Sequence, residues 1–147
     1  MSDSTVPKRT DQASGPRVLV SNRQSGPIDE AGLIALAEDV LAGEGVTDVE
    51  LSLSFVGSPE MADLHERYMH EVGPTDVLSF PLHEDGLLGD VVVCPDQAGK
   101  NNADVESELR LLVTHGVLHL LGHDHEDEGD RARMWAMQER YSGVRAK

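Results

Sequence analysis

From Leu111 to Leu121 the chain reads LLVTHGVLHLL, an apolar run interrupted by Thr114, Gly116 and two histidines, His115 and His119. At helical spacing Leu111, Leu112, Val113, Val117, Leu118, Leu120 and Leu121 leave no clean polar stripe, so a helix here has to be covered on nearly every side. A fold that contains it must pack other elements around it, and its histidines need partners because an unsatisfied buried polar group is costly. His115 and His119 lie one helical turn apart, at about 3.6 residues per turn, so both imidazoles project from one face and can share a metal ion.

Two further histidines follow, His123 and His125. His123 keeps the same spacing, but at about 1.5 Å of rise per residue it would sit roughly 12 Å along the axis from His115. Zinc–imidazole bonds are about 2.0–2.1 Å long, so a straight helix cannot bring those two rings to one ion. Gly122 reads as the helix stop, because glycine accepts the left-handed conformation that turns the chain back. That reversal makes His125 the expected third ligand, beside His115 and His119.

The pattern H-x-x-x-H-x-x-G-x-x-H has the histidine and glycine spacing of the metzincin zinc proteases. Gly116 stands where those proteases carry the glutamate that takes a proton from water. Glycine cannot do this, which weakens a peptidase reading. Three neutral histidines would still leave zinc dipositive with a fourth position open to water, the arrangement of a hydrolytic rather than a structural site. The expectation is one Zn2+ ion and metal-assisted hydrolysis, with the general base unknown. Asp124, next to a ligand, is a candidate for orienting an imidazole from behind, and capping the turn is its equal alternative.

A chain of 147 residues fits one domain with a real core. The expected organisation is a flexible polar tail over 1–15 and a single domain over 16–147. The only cysteine, Cys94, has no internal disulfide partner, and its apolar flank suggests a small buried hydrophobe. No apolar stretch is long enough to span a membrane and the start lacks the apolar core of a signal peptide, so an intracellular, cytoplasmic protein is expected. The net charge of −15 excludes a protein that grips nucleic acid with its whole surface; any phosphate contact has to be local. Arg17, Arg23, Arg67, Lys100, Arg110, Arg131, Arg133, Arg140 and Arg145 are enough for such a patch if the fold gathers several. The acidic excess reads as solvated surface, or as a docking face for basic proteins such as those of the ribosome.

Strands are expected over 17–23, where RVLVSNR begins, and over 49–56, where VELSLSFV alternates with period two. Further strands are expected over 76–81 and 87–94, the second closed by Pro95. Helices are expected over 29–42, from an N-cap at Ser58 to about His70, from about Ala103 to Leu121, and over 127–141. The order suggests an α+β fold: a small mixed sheet of about four strands packed with helices, with the metal-binding histidines on and just after a long buried helix.

Three ordered blocks, PTDVLSFP (Pro74 to Pro81), GDVVVCP (Gly89 to Pro95) and HGVLHLLGHDH (His115 to His125), resemble the YbeY-type bacterial endoribonucleases of ribosomal RNA maturation. The resemblance covers roughly residues 50 to 126. It implies zinc held by His115, His119 and His125, and hydrolysis of single-stranded RNA in the processing and quality control of ribosomal RNA. The partners it implies are precursor ribosomal RNA and the small ribosomal subunit or its proteins, without DNA or membrane. Two positions depart from the family pattern. His123 stands where tyrosine is usual, and Met69 aligns with an arginine expected to assist phosphate binding or catalysis, which methionine cannot do.

Thr75, Asp76 and Ser79 are candidates to line the cleft near the metal, although Asp76 and Ser79 equally suit turn and strand-end hydrogen bonds. Two rival functions remain at this level. One is a metallopeptidase or other zinc hydrolase; the other is a non-catalytic ribosome-assembly protein with a structural zinc.

Overall fold

The computed structural model describes residues 16–84, 86–123 and 127–144, with His83 described by its backbone alone. The polar tail expected over 1–15 lies outside the described residues, as do Asp124 and His125.

The elements are β1 (Arg17–Asn22), α1 (Glu30–Gly43), β2 (Glu50–Phe55), α2 (Ser58–Met69), β3 (Val77–Glu84), β4 (Leu87–Val93), α3 (Pro95–Asn101), α4 (Val105–Leu120) and α5 (Glu128–Ser142). The strands form one sheet in the order β1-β2-β4-β3. β1, β2 and β4 run parallel and β3 is antiparallel to β4 at the edge. This is the α+β architecture expected, a four-stranded mixed sheet with helices.

Period-two alternation divides the sheet between two cores. Leu51, Leu53 and Phe55 of β2 with Val91 and Val93 of β4 join Leu33, Leu36, Val40 and Leu41 of α1 and Val113, Val117 and Leu120 of α4 in the larger cluster. Val92 points the other way and joins Leu78, Cys94 and Met61 of α2 in a smaller one. Cys94 is fully buried, as its apolar flank suggested.

Three local expectations need correction. Pro95 does not merely end a strand: it opens α3, at a position where its missing N–H costs nothing and its fixed φ favours the helix. β3 runs past Pro81 to Glu84; proline is tolerated there because β3 is an edge strand. Ser58 is the first helical residue and not the cap, which is Gly57 with no side-chain bond. The Ser58 hydroxyl instead accepts from Gln97 Nε2 of α3 at 3.1 Å.

The long helix starts two residues later than expected, because Asp104 caps it by accepting from Ser107 N at 3.2 Å. Nor is it covered all round. Leu109, Leu112, Val113, Thr114, Gly116, Val117, Leu118 and Leu120 are buried, but His115 is part-exposed and His119 exposed. With Leu111 they form an i, i+4, i+8 line along a side of α4 that is not fully buried among the described residues.

Candidate metal centre and adjoining cleft

On that line the His115 and His119 rings lie 6.1 Å apart between centroids and are tilted by 41°. Each ring is fixed through its Nδ1. His115 Nδ1 donates to Gln138 Oε1 of α5 at 2.6 Å, and His119 Nδ1 to the His123 carbonyl at 3.3 Å. A proton held on Nδ1 of a neutral imidazole leaves the lone pair on Nε2, the tautomer a metal ligand requires, and fixing it from behind is the ordinary arrangement around metal-binding histidines. The two rings thus fit a soft-to-borderline divalent cation such as zinc. Among the described residues no third histidine, cysteine, aspartate or glutamate completes a set with them.

The turn after α4 explains why the His123 carbonyl is available. Gly122 has φ +100°, and the chain reverses through bonds from His123 N to Leu118 O (3.1 Å) and Gly122 N to His119 O (3.0 Å). This is the paired closure of a Schellman motif, so glycine is the helix stop for the reason its backbone freedom suggested. His123 is thereby off the helix axis. Its Nε2 meets Glu44 Oε1 at 3.2 Å, while Glu44 Oε2 accepts from Tyr141 OH at 2.6 Å. Burial, followed by this bond to a carboxylate, pushes the Tyr141 phenol above its ordinary value.

Gly116 sits between the two histidines where α4 presses on the sheet. A Cβ there would lie 2.6 Å from Val91 Cγ1 and 3.4 Å from Ser79 Oγ. No glutamate fits, so the absence of a protease-type base is built into the helix–sheet contact. The Ser79 hydroxyl donates to the Gly116 carbonyl at 3.2 Å, which is the backbone-satisfying role and ties β3 to the helix.

Beside His115 opens a cleft of about 360 Å³ between α4, α5 and the start of β3. Val77, Leu111, Leu112, Met134 and Trp135 supply apolar walls; Asp76, Gln138 and Arg131 are polar members of the same lining. Asp76 therefore does line the cleft, and its Oδ2 also accepts from Asn101 Nδ2 at 3.0 Å. Met69 is 44% exposed at the end of α2. Arg67 is engaged along its own helix, with Asp63 at 3.6 Å. Arg131 of α5 is a cation in the same cleft lining as His115.

Sequence reasoning did not single out Gln138 or Glu44. Gln138 had a faint signal: it is four residues after the buried Met134, a polar residue on the inward face of α5. Glu44 had none, because its partners are 79 and 97 residues away in sequence.

A histidine pair on a helix that crosses a small mixed sheet, opening into a part-polar cleft, defines a candidate metal-dependent hydrolase. The family model described as endoribonuclease YbeY matches residues 19–143. The chain is 47% identical over 135 residues to the endoribonuclease YbeY of Beutenbergia cavernae, covering 81% of this chain and 90% of that protein. It is 42% identical to that of Thermobifida fusca, over 81% of this chain and 87% of the relative. The solution structure of TM1509 from Thermotoga maritima superposes with a TM-score of 0.61 at 30% identity, over 84% of this chain and 87% of that one. The chain belongs to the endoribonuclease YbeY family.

Proposed function

We propose that this protein is a zinc-dependent, single-strand-specific endoribonuclease of ribosomal RNA processing, maturation and quality control. As a member of its family it is a hydrolase that acts on RNA. The observation that carries the zinc reading is the pair His115 and His119, each held through Nδ1 by Gln138 or the His123 carbonyl. His125, two residues beyond that carbonyl, is the proposed third ligand.

When bound, the metal would lower the pKa of water toward neutrality and draw charge from a phosphate oxygen. The protein's own contribution is positional. Gln138 and the turn after Gly122 hold the imidazoles in one tautomer, and the cleft beside His115 offers a place for the substrate strand next to the scissile bond. Arg131 supplies the local cation that a chain of net charge −15 needs against phosphate. The closeness of Gly116 to Val91 supports this reading over a glutamate-dependent peptidase.

The test is metal analysis with RNA cleavage on the wild type and His115→Ala. Stoichiometric zinc, with cleavage lost in the variant, is the expected result. Cleavage unaffected by loss of the histidine would refute the assignment. Ribosome association that persists without any nuclease activity, in a protein that unfolds on chelation, would instead establish the assembly role.

A further inference from the structure

We infer that the cleft beside His115 is a nucleobase subsite, in which an unpaired base of the RNA stacks on Trp135 while Arg131 meets a neighbouring phosphate. The inference rests on the proposed ribonuclease function and names how that site would take hold of its substrate. Trp135 is the chain's one tryptophan, and it is 44% exposed although the fold buries most of its large apolar side chains. It stands in the wall of a cleft whose other apolar members, Val77, Leu111, Leu112 and Met134, suit the flat face of a base.

The cleft is continuous with the metal centre, because His115 lines it and Gln138, which orients that histidine, lines it too. A strand whose phosphate lies at the histidines would place the adjoining base there. Arg131 in the same lining is one of only 12 basic residues against 27 acidic. A protein so acidic cannot hold RNA by charge over its surface, and stacking is the contact that single-strand binders use independently of charge. Every base has a π-face, so such a subsite selects unpaired over paired bases without reading sequence.

A single tryptophan makes the subsite directly observable. Intrinsic fluorescence of the full-length, zinc-loaded wild type would be titrated by stopped flow, before turnover, with a short single-stranded RNA and with the same sequence as a duplex. Quenching by the single strand and not by the duplex is the expected result. In parallel, cleavage by Trp135→Ala should show a KM raised about 5- to 150-fold, the range for loss of one base stack, with Trp135→Phe restoring most of it. Unquenched fluorescence at RNA concentrations that saturate binding would overturn the subsite, as would equal quenching by the duplex or an unchanged KM in Trp135→Ala. These results leave the ribonuclease reading standing if the wild type cuts RNA. Failure of the wild type to cut RNA is the separate outcome that removes the function, and the titration still decides whether the cleft takes a base.

Discussion

Replacing Gly116 by alanine tests both the helix–sheet contact and the placement of the histidines. In an ordinary exposed helix this change would stabilise by about 1 kcal/mol, because glycine gives up more backbone entropy than alanine. Here the added Cβ would lie 2.6 Å from Val91 Cγ1 and 3.2 Å from its Cγ2. Carbon–carbon contacts relax to about 3.5–4.0 Å, so one partner must move by about 1 Å. Val91 is fully buried in a strand paired on both sides, and a β-branched side chain has few rotamers to escape into. The helix has to give. Overpacking of this kind costs about 1–3 kcal/mol; set against the propensity gain, the net loss is about 0–2 kcal/mol. The effect on chemistry should be larger, since Gly116 lies between His115 and His119 and a 1 Å misplacement of reacting groups costs about a hundredfold in rate. Urea unfolding with an unchanged m-value, together with RNA-cleavage kinetics, measures both quantities. Pairing the change with Val91→Ala should recover part of each loss, with a coupling of about 0.5–3 kcal/mol. A Gly116→Ala protein more stable than wild type by about 1 kcal/mol and fully active would refute the reasoning.

Gln138→Leu removes the acceptor behind His115 and should weaken zinc binding about 10- to 100-fold, read by competition with a chelator, while Gln138→Glu keeps an acceptor and should retain affinity. Gly122→Ala forces a side chain into φ +100° and should cost about 1–3 kcal/mol in urea unfolding, with loss of zinc affinity as the His123 carbonyl moves. Tyr141 contributes on the alkaline side: its pKa is raised in the folded protein, so its stabilising share is complete below the ordinary value of about 10 and is lost as pH rises through the folded one. The wild-type urea midpoint should therefore fall in that window, and Tyr141→Phe should flatten that part of the profile; an identical profile in the variant would contradict it.

What could be read in advance depended on whether the partners were local. The pairing of His115 with His119, and Gly122 as the stop, rest on distances within one helix and its cap, where spacing is geometry. The alternation in β2 likewise announced a buried face, which Leu51, Leu53 and Phe55 supply. Pro95 was harder, because the residue that ends a strand also opens a helix and sequence offers both meanings at once. The open side of α4 was not legible at all: an apolar run says that a helix is wanted inside, but not that α5 would stop short of covering the histidines. Gln138, Glu44 and the grouping of Arg131 with Trp135 depend on how α5 and the end of α1 return to α4, which no local pattern encodes.

The bonds that converge on the turn after α4 also fix when this site can exist. Glu44 closes the first helix, Gln138 and Tyr141 belong to the last, and they reach His115 and His123 across 23 and 79 residues of chain, or each other across 97. During synthesis the N-terminal part folds first. The histidines of α4 therefore leave the ribosome before the helix that orients one of them. An emerging chain carries His115 and His119 without their supports, and RNA close to the site of its own synthesis would meet the proposed metal centre in its oriented form only after α5 has docked.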